Sequence, residues 1–221
     1  MIIYLRNVLY DVGIFKSHSF SVPIISVGNI AVGGTGKTPH VEYLVRLLKD
    51  QYKVAVLSRG YKRNTSGYFL AENISDASEI GDEPCQIKQK FPDIQVAVCE
   101  NRVEGVKNLI KGFPDLDIVL LDDAFQHRQI KPGLSLLLID YNSLFKNRML
   151  LPAGDLREPF IAKKRADILI VTKTPEVISD KEKENILKKL KPHKGQKVFY
   201  SYIEYGLLTN CFEKNRSYSN S

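Results

Sequence analysis

"GGTGKTP", residues 33–39, is the stretch on which the fold of this chain turns. It follows the short apolar run "PIISV" (23–27) and leads into a segment where Val41, Leu44, Val45 and Leu48 fall on one helical stripe. Gly33, Gly34 and Gly36, with Thr35 among them, let the backbone adopt positive φ and bring its N–H groups close to an anion. A helix starting near Lys37 adds the positive end of its dipole. Lys37 can reach β- and γ-phosphates, and the Thr38 hydroxyl can sit on Mg²⁺. Pro39 is tolerated because first-turn N–H groups lack helical partners. Ala31 stands where the textual phosphate-loop pattern has its first glycine, so the turn into this loop is expected to be shaped differently, with Gly28 nearby. Strand, glycine loop and G-K-T together predict a phosphate cradle.

Outward from this loop, short β-branched runs recur: "KVAVLS" (53–58), "IQVAV" (94–98), "DIVLL" (117–121), "LSLLLI" (134–139), "DILIV" (167–171) and "KVFYSY" (197–202). Runs apolar on both faces read as strands buried in a parallel sheet, and helical patterns such as 181–191 separate them. The fold class is therefore α/β, P-loop NTPase-like, with a mostly parallel sheet flanked by helices. Ligands bind such sheets beyond the carboxyl ends of the strands. The Pro/Gly-bounded loop "LLPAGDLREP" (150–159) reads as a junction. The expected division is an N-terminal amphipathic helix over 1–20, a nucleotide-binding domain over 21–150, and a junction with the start of a smaller α/β lobe over 151–221.

The 221 residues are 43% hydrophobic, enough for a substantial core, and only the tail "CFEKNRSYSNS" is patternless. Three cysteines, Cys85, Cys99 and Cys211, without C-x-x-C spacing, fit neither a disulfide framework nor a zinc site. The net charge of +7 is concentrated in residues 1–70, where nine Lys/Arg face three Asp/Glu. Such a patch suits nucleic acid, an anionic membrane, a phosphorylated substrate or plain solvent. "MIIYLRNVLYDVGIF" is too short and too interrupted to span a bilayer. Leu5, Val8, Leu9 and Val12 share a helical face that suits either packing on the core or contact with a membrane surface.

Further chemistry-bearing residues follow the strands. "DIVLLDDAFQHR" ends a strand in Asp122 and Asp123, the acidic strand end that holds Mg²⁺ or its waters in P-loop NTPases, although a capping role is equally open to either residue. Gln126 and His127 lie on the same turn. In "GDEP", Asp82 and Glu83 precede an apparent helix, so they suit helix capping as well as proton acceptance from a sugar hydroxyl. Arg59 and Arg102 follow the second and third strands, where a guanidinium fork suits phosphate.

In order, "VGNIAVGGTGKTP", "LSRGYKR", "GDEP", "LLDDAFQHR" and "LLPAGDLREP" resemble the tetraacyldisaccharide 4′-kinase family, from about residue 22 to about 175. The resemblance implies a kinase that moves the γ-phosphate of ATP to the 4′-hydroxyl of a lipid disaccharide 1-phosphate in lipid A biosynthesis. It implies ATP and Mg²⁺ as cofactors and no nucleic acid as partner. Lys37 and Thr38 keep the roles already argued, and Asp82 becomes the base on the sugar hydroxyl. Glu83, Asp122 and Asp123 support the Mg-nucleotide. Gln126, His127 and Glu158 line the site, beside the Arg59 and Arg102 already placed at the sheet edge. Family members work at the cytoplasmic face of the bacterial inner membrane, which favours peripheral contact of residues 1–15 with anionic lipid.

The chain departs from the family by lacking the "DHH"-like and "TEKD"-like segments of a second lobe, from which a histidine assists the catalytic Asp. His193, in "KPHKG", does not take that place. The sequence thus resembles a truncated member, expected to bind nucleotide with impaired transfer. Two other readings are a non-catalytic nucleotide-binding remnant, and a soluble P-loop ligase or ATPase acting on a small acidic substrate.

Overall fold

The computed structural model describes residues 2–146 and 149–204. The polar tail with Cys211 lies outside the described residues. The strands are β1 (Ile24–Asn29), β2 (Val54–Ser58), β3 (Phe69–Leu70), β4 (Gln95–Val98), β5 (Ile118–Asp122), β6 (Leu134–Asp140), β7 (Ile168–Thr172) and β8 (Lys197–Tyr200). They form one eight-stranded sheet in the order β3-β4-β2-β5-β1-β6-β7-β8. Every pairing is parallel except β3 with β4. β1 sits centrally, between β5 and β6, so the segment after Asn29 emerges at the middle of the carboxyl edge. β2 and β5 are buried at every residue, which is why their sequences are apolar on both faces.

Helices α1 (Ile2–Asp11), α2 (Lys37–Leu48), α3 (Ala77–Ile80), α4 (Asp82–Lys90), α5 (Arg102–Gly112) and α6 (Asp180–Leu190) complete the fold. On one face Val41 and Val45 of α2 and Ile87 of α4 pack on Val56, Val96 and Leu120. On the other, Val103, Val106 and Leu109 of α5 cover Ala55, Leu57 and Val119. A third cluster joins Ile186 and Leu190 of α6 to Leu137, Leu169 and Val171.

Two expectations change here. The strands after residue 151 pair onto the first sheet: Leu136–Asp140 pairs with Ile168–Thr172, and β7 in turn pairs with β8. Leu169 and Val171 are completely buried against α6, and this burial holds the segment on the first core. The N-terminal helix ends at Asp11 rather than near residue 20. It docks through its polar side: Arg128 donates to the Asn7 carbonyl at 2.7 Å and to Asp11 at 2.6 Å, and its guanidinium lies 5.0 Å from the Tyr10 ring centroid. Leu5 and Val12 stay exposed, at 58% and 63%, while Val8 and Leu9 are half-buried.

Candidate active site

The loop between β1 and α2 is shaped by two left-handed glycines, Gly33 at φ 106° and Gly36 at φ 84°. Gly36 is also the N-cap of α2 and offers no side chain to the helix end, so the first-turn N–H groups stay free for an external acceptor. Thr35 is buried, and its hydroxyl accepts from Asn29 Nδ2 at 2.8 Å, which ties the loop to the end of β1. His40 closes the far side. Its Nδ1–H donates to the Gly36 carbonyl at 2.7 Å; burial lowers its pKa, and that hydrogen bond partly opposes the effect.

The structure also explains Ala31. Residues 30–32 run antiparallel to residues 155–157: Ala31 bridges Leu156, Val32 N–H donates to the Asp155 carbonyl, and Arg157 N–H donates to that of Ile30, both at 2.7 Å. The approach to the cradle is therefore extended backbone, where any side chain fits. The indispensable glycine lies earlier. A Cβ on Gly28 would come within 2.7 Å of the Phe125 backbone nitrogen and Cβ, so only glycine lets the turn after β5 close over β1.

A cleft of about 900 Å³ opens above the carboxyl edge. Gly33, Gly34, Thr35, Gly36, Lys37 and Thr38 line one wall; Arg59, Glu83, Arg102, Asp123, Gln126 and His127 line the rest. Lys37 Nζ stands 3.7 Å from Asp123 Oδ1, and Arg157 Nη1 donates to the same carboxylate at 3.1 and 2.9 Å. Asp123 has φ 46°, a left-handed conformation that Asp tolerates better than most residues. Asp122, one residue earlier, is completely buried; it accepts from Ser58 Oγ at 3.2 Å through Oδ2, while Oδ1 has no partner. Burial pushes its pKa up to about 6, Glu83 and Asp123 push the same way, and Lys37 and the Ser58 hydroxyl oppose them.

The opposite wall is cationic. Arg102 opens α5 and is almost wholly buried, donating to the Cys99 carbonyl at 2.5 Å; burial brings its pKa down to about 10, so it stays charged. Burial, then Arg102 and Arg59, push His127 down to about 4, so it is a neutral imidazole near pH 7. Gln126 donates to the Asn29 carbonyl at 2.7 Å and fixes the turn against β1.

Asp82 and Glu83 begin α4; Glu83 faces the cleft, whereas Asp82 is exposed beside it and is not one of the lining residues. Glu158 is placed elsewhere. It is fully buried between Arg6 of α1 at 2.8 Å and Arg165 at 2.6 Å, and it forms no wall of the cleft. Two arginines converge on it, and that pulls its carboxylate inward. Sequence reasoning missed Arg157 and Lys173, which both line the cleft; Lys173 pairs with Asp140 at 3.1 Å. The signal for Arg157 was its adjacency to Glu158 in a Pro/Gly loop, but adjacency could not say which of the two faces the phosphate loop.

Such a cleft can hold a polyphosphate chain against backbone N–H groups and Lys37, with carboxylates at its end. A family model described as "Tetraacyldisaccharide-1-P 4'-kinase" (LpxK) matches residues 1–215. The chain belongs to the LpxK family. It is 51% identical over 217 residues to the tetraacyldisaccharide 4′-kinase of Bacteroides thetaiotaomicron, covering 98% of this chain and 57% of that protein. It is 54% identical over 209 residues to the enzyme of that name from Bacteroides fragilis, covering 94% and 56%. Among solved structures it is similar to LpxK from Aquifex aeolicus, in complex with ATP. The TM-score is 0.75 at 37% identity, over 90% of this chain and 60% of that one. The chain thus spans less than two thirds of the length of the LpxK relatives it matches.

Proposed function

We propose that the chain works as a tetraacyldisaccharide 4′-kinase, transferring the γ-phosphate of ATP to the 4′-hydroxyl of a tetraacyldisaccharide 1-phosphate in lipid A biosynthesis. The observation that carries the reading is the convergence in one cleft of the Gly33–Thr38 loop, Asp123 and Glu83, with Asp122 buried directly behind Asp123. Residues 33–38 would bind the β- and γ-phosphates through backbone N–H groups, and Lys37 would leave Asp123 for the γ-phosphate as charge builds there. Arg59 and Arg102 give the opposite wall a positive field that suits the transferring group. Asp82 is the candidate base that takes the proton from the sugar hydroxyl as its oxygen bonds to phosphorus and the ADP oxygen leaves. Its exposed position at the start of α4 leaves it open to an acceptor approaching from solvent.

The residues present also fit a Mg²⁺ ion. Asp122 has a buried carboxylate oxygen with no hydrogen-bond partner, and the Thr38 hydroxyl lies in the same cleft wall as Lys37. Among the described residues no group of three His, Cys, Asp or Glu side chains gathers to hold a metal alone, so phosphate and water would complete its shell. When bound, the ion would neutralise charge on the β- and γ-phosphate oxygens.

Among the described residues no helix is long and apolar enough to cross a membrane. The support for peripheral contact at the cytoplasmic face of the inner membrane is α1, held by its polar side with Leu5 and Val12 outward beside a basic N-terminal third. Family membership favours this reading over a small-molecule ligase or ATPase. Incorporation of labelled phosphate into the lipid disaccharide 1-phosphate, with and without detergent micelles, tests it. Transfer lost in Asp82→Asn supports the assignment, whereas ATP binding with no transfer by residues 1–221 favours the nucleotide-binding remnant.

A further inference from the structure

A second cavity, of about 510 Å³, lies behind the turn after β5, on the sheet face opposite α2. Its size falls in the roughly 300–1,000 Å³ range of small-molecule sites. On its floor stand Ser26 and Ser135, register partners on β1 and β6. Both are buried, at 3% and 5% exposure, in strands that are otherwise apolar around them. Neither hydroxyl hydrogen-bonds to another described residue. Neither oxygen is among the sealed, unpartnered polar atoms, so both hydroxyls open onto the cavity, where water or a ligand can meet them.

Cations line the rest. Arg128, Lys131 and Arg165 face Asp167 alone, a formal excess of two positive charges in the lining. Asp167 is occupied by the Ser135 N–H at 2.8 Å. Arg128 and Arg165 hold Asp11 and Glu158 from outside the lining, and Lys131 is exposed with no ion pair to a described residue. Phe125, under the Arg165 guanidinium at 4.4 Å, supplies an apolar wall. His127 is common to this cavity and the nucleotide cleft.

We infer that this cavity binds a phosphomonoester carried on a sugar-sized body. Lys131 supplies the point charge without an ion pair, Arg128 and Arg165 add positive field while bonded to Asp11 and Glu158, and the serine hydroxyls donate to phosphate oxygens. The inference deepens the kinase reading, on which it rests: the acceptor already carries one phosphate, and this neighbouring cavity holds it while the distant hydroxyl reaches the cleft.

Calorimetry at low salt tests it, with glucosamine 1-phosphate, inorganic phosphate and glucosamine as probes and the cleft saturated by a non-hydrolysable ATP analogue. Saturable binding of glucosamine 1-phosphate is expected, with none of glucosamine. Lys131→Glu should weaken it about tenfold, the scale of one charged hydrogen bond. Ser26→Ala with Ser135→Ala should weaken it several-fold while thermal melting reports an intact fold. Absence of binding, insensitivity to all these changes, or displacement by the analogue would overturn the assignment. Binding of phosphatidylglycerol vesicles that Lys131→Glu abolishes, with no sugar-phosphate heat, would instead make these cations a headgroup contact. Failure of the analogue to bind speaks against the kinase reading alone, since the sugar-phosphate titration can be read without it.

Discussion

Lys37, in the cleft wall, and Asp122, buried behind Asp123, have opposite electrostatic problems. Lys37 has a partner, Asp123, that it can exchange for phosphate; in Lys37→Ala the glycine loop persists, so nucleotide affinity and turnover should fall with the melting temperature little changed. Equal affinity and equal turnover in that variant would remove the cradle assignment. Asp122 is a buried acid whose folded pKa, about 6, lies above its unfolded value. Its favourable contribution is complete below about 4 and is lost as pH rises through about 6. Asp122→Asn should therefore stabilise the metal-free protein above pH 7, by on the order of 3 kcal/mol, and the gain should vanish toward pH 4. The same variant should raise the Mg²⁺ requirement for nucleotide binding. His127 has the reverse profile: held down to about 4, it costs stability as pH falls from about 6.5 toward 4, so His127→Gln should flatten that limb of the melting curve. Melting series at matched ionic strength separate the two, and an Asp122→Asn gain independent of pH would contradict the assigned shift.

At the scale of elements, the strand ends and α2 were legible because their signals are local. An apolar run, glycines at fixed offsets and a helical stripe lie within a few dozen residues of one another. Glu158 and Arg157 were not. They are neighbours in one loop, yet Arg157 pairs with Asp123 in the cleft while Glu158 anchors α1 through Arg6. Glu158→Ala leaves Arg6 and Arg165 without their shared carboxylate. Because both arginines are partly exposed, the expected loss is roughly 2 kcal/mol, below the 3–5 of a fully buried pair. Nucleotide affinity should survive, as Glu158 is no wall of the cleft; its loss in calorimetry of a folded variant would return Glu158 to the site. For α1 itself, Glu at both Leu5 and Leu9 should reduce flotation with anionic vesicles, and added salt should weaken what remains. Equal flotation of the altered and unaltered chains would leave α1 as core packing alone.

For the whole molecule, one sheet joins strands from residue 24 to residue 200. The phosphate loop, the Asp122–Asp123 turn and the buried Arg102 are all positioned by that sheet and the helices on it. Residues 1–221 should therefore bind Mg-ATP, and calorimetry of this chain checks it. A melting temperature unmoved by saturating Mg-ATP would mean that the cleft is not a nucleotide site.

The sequence by itself determined the α/β class and the family, the first from short local patterns and the second from an ordered set of local motifs, and it pointed to the glycine loop and the acidic strand end as candidates. Only the tertiary structure decided which side chains share the cleft. It showed that Ala31 is harmless, since its backbone pairs with Leu156, more than a hundred residues away. It sent Glu158 to α1 and Arg157 to Asp123 in the cleft, and set two serines side by side on β1 and β6. Those outcomes depend on contacts and burial between distant segments, which composition and periodicity do not encode.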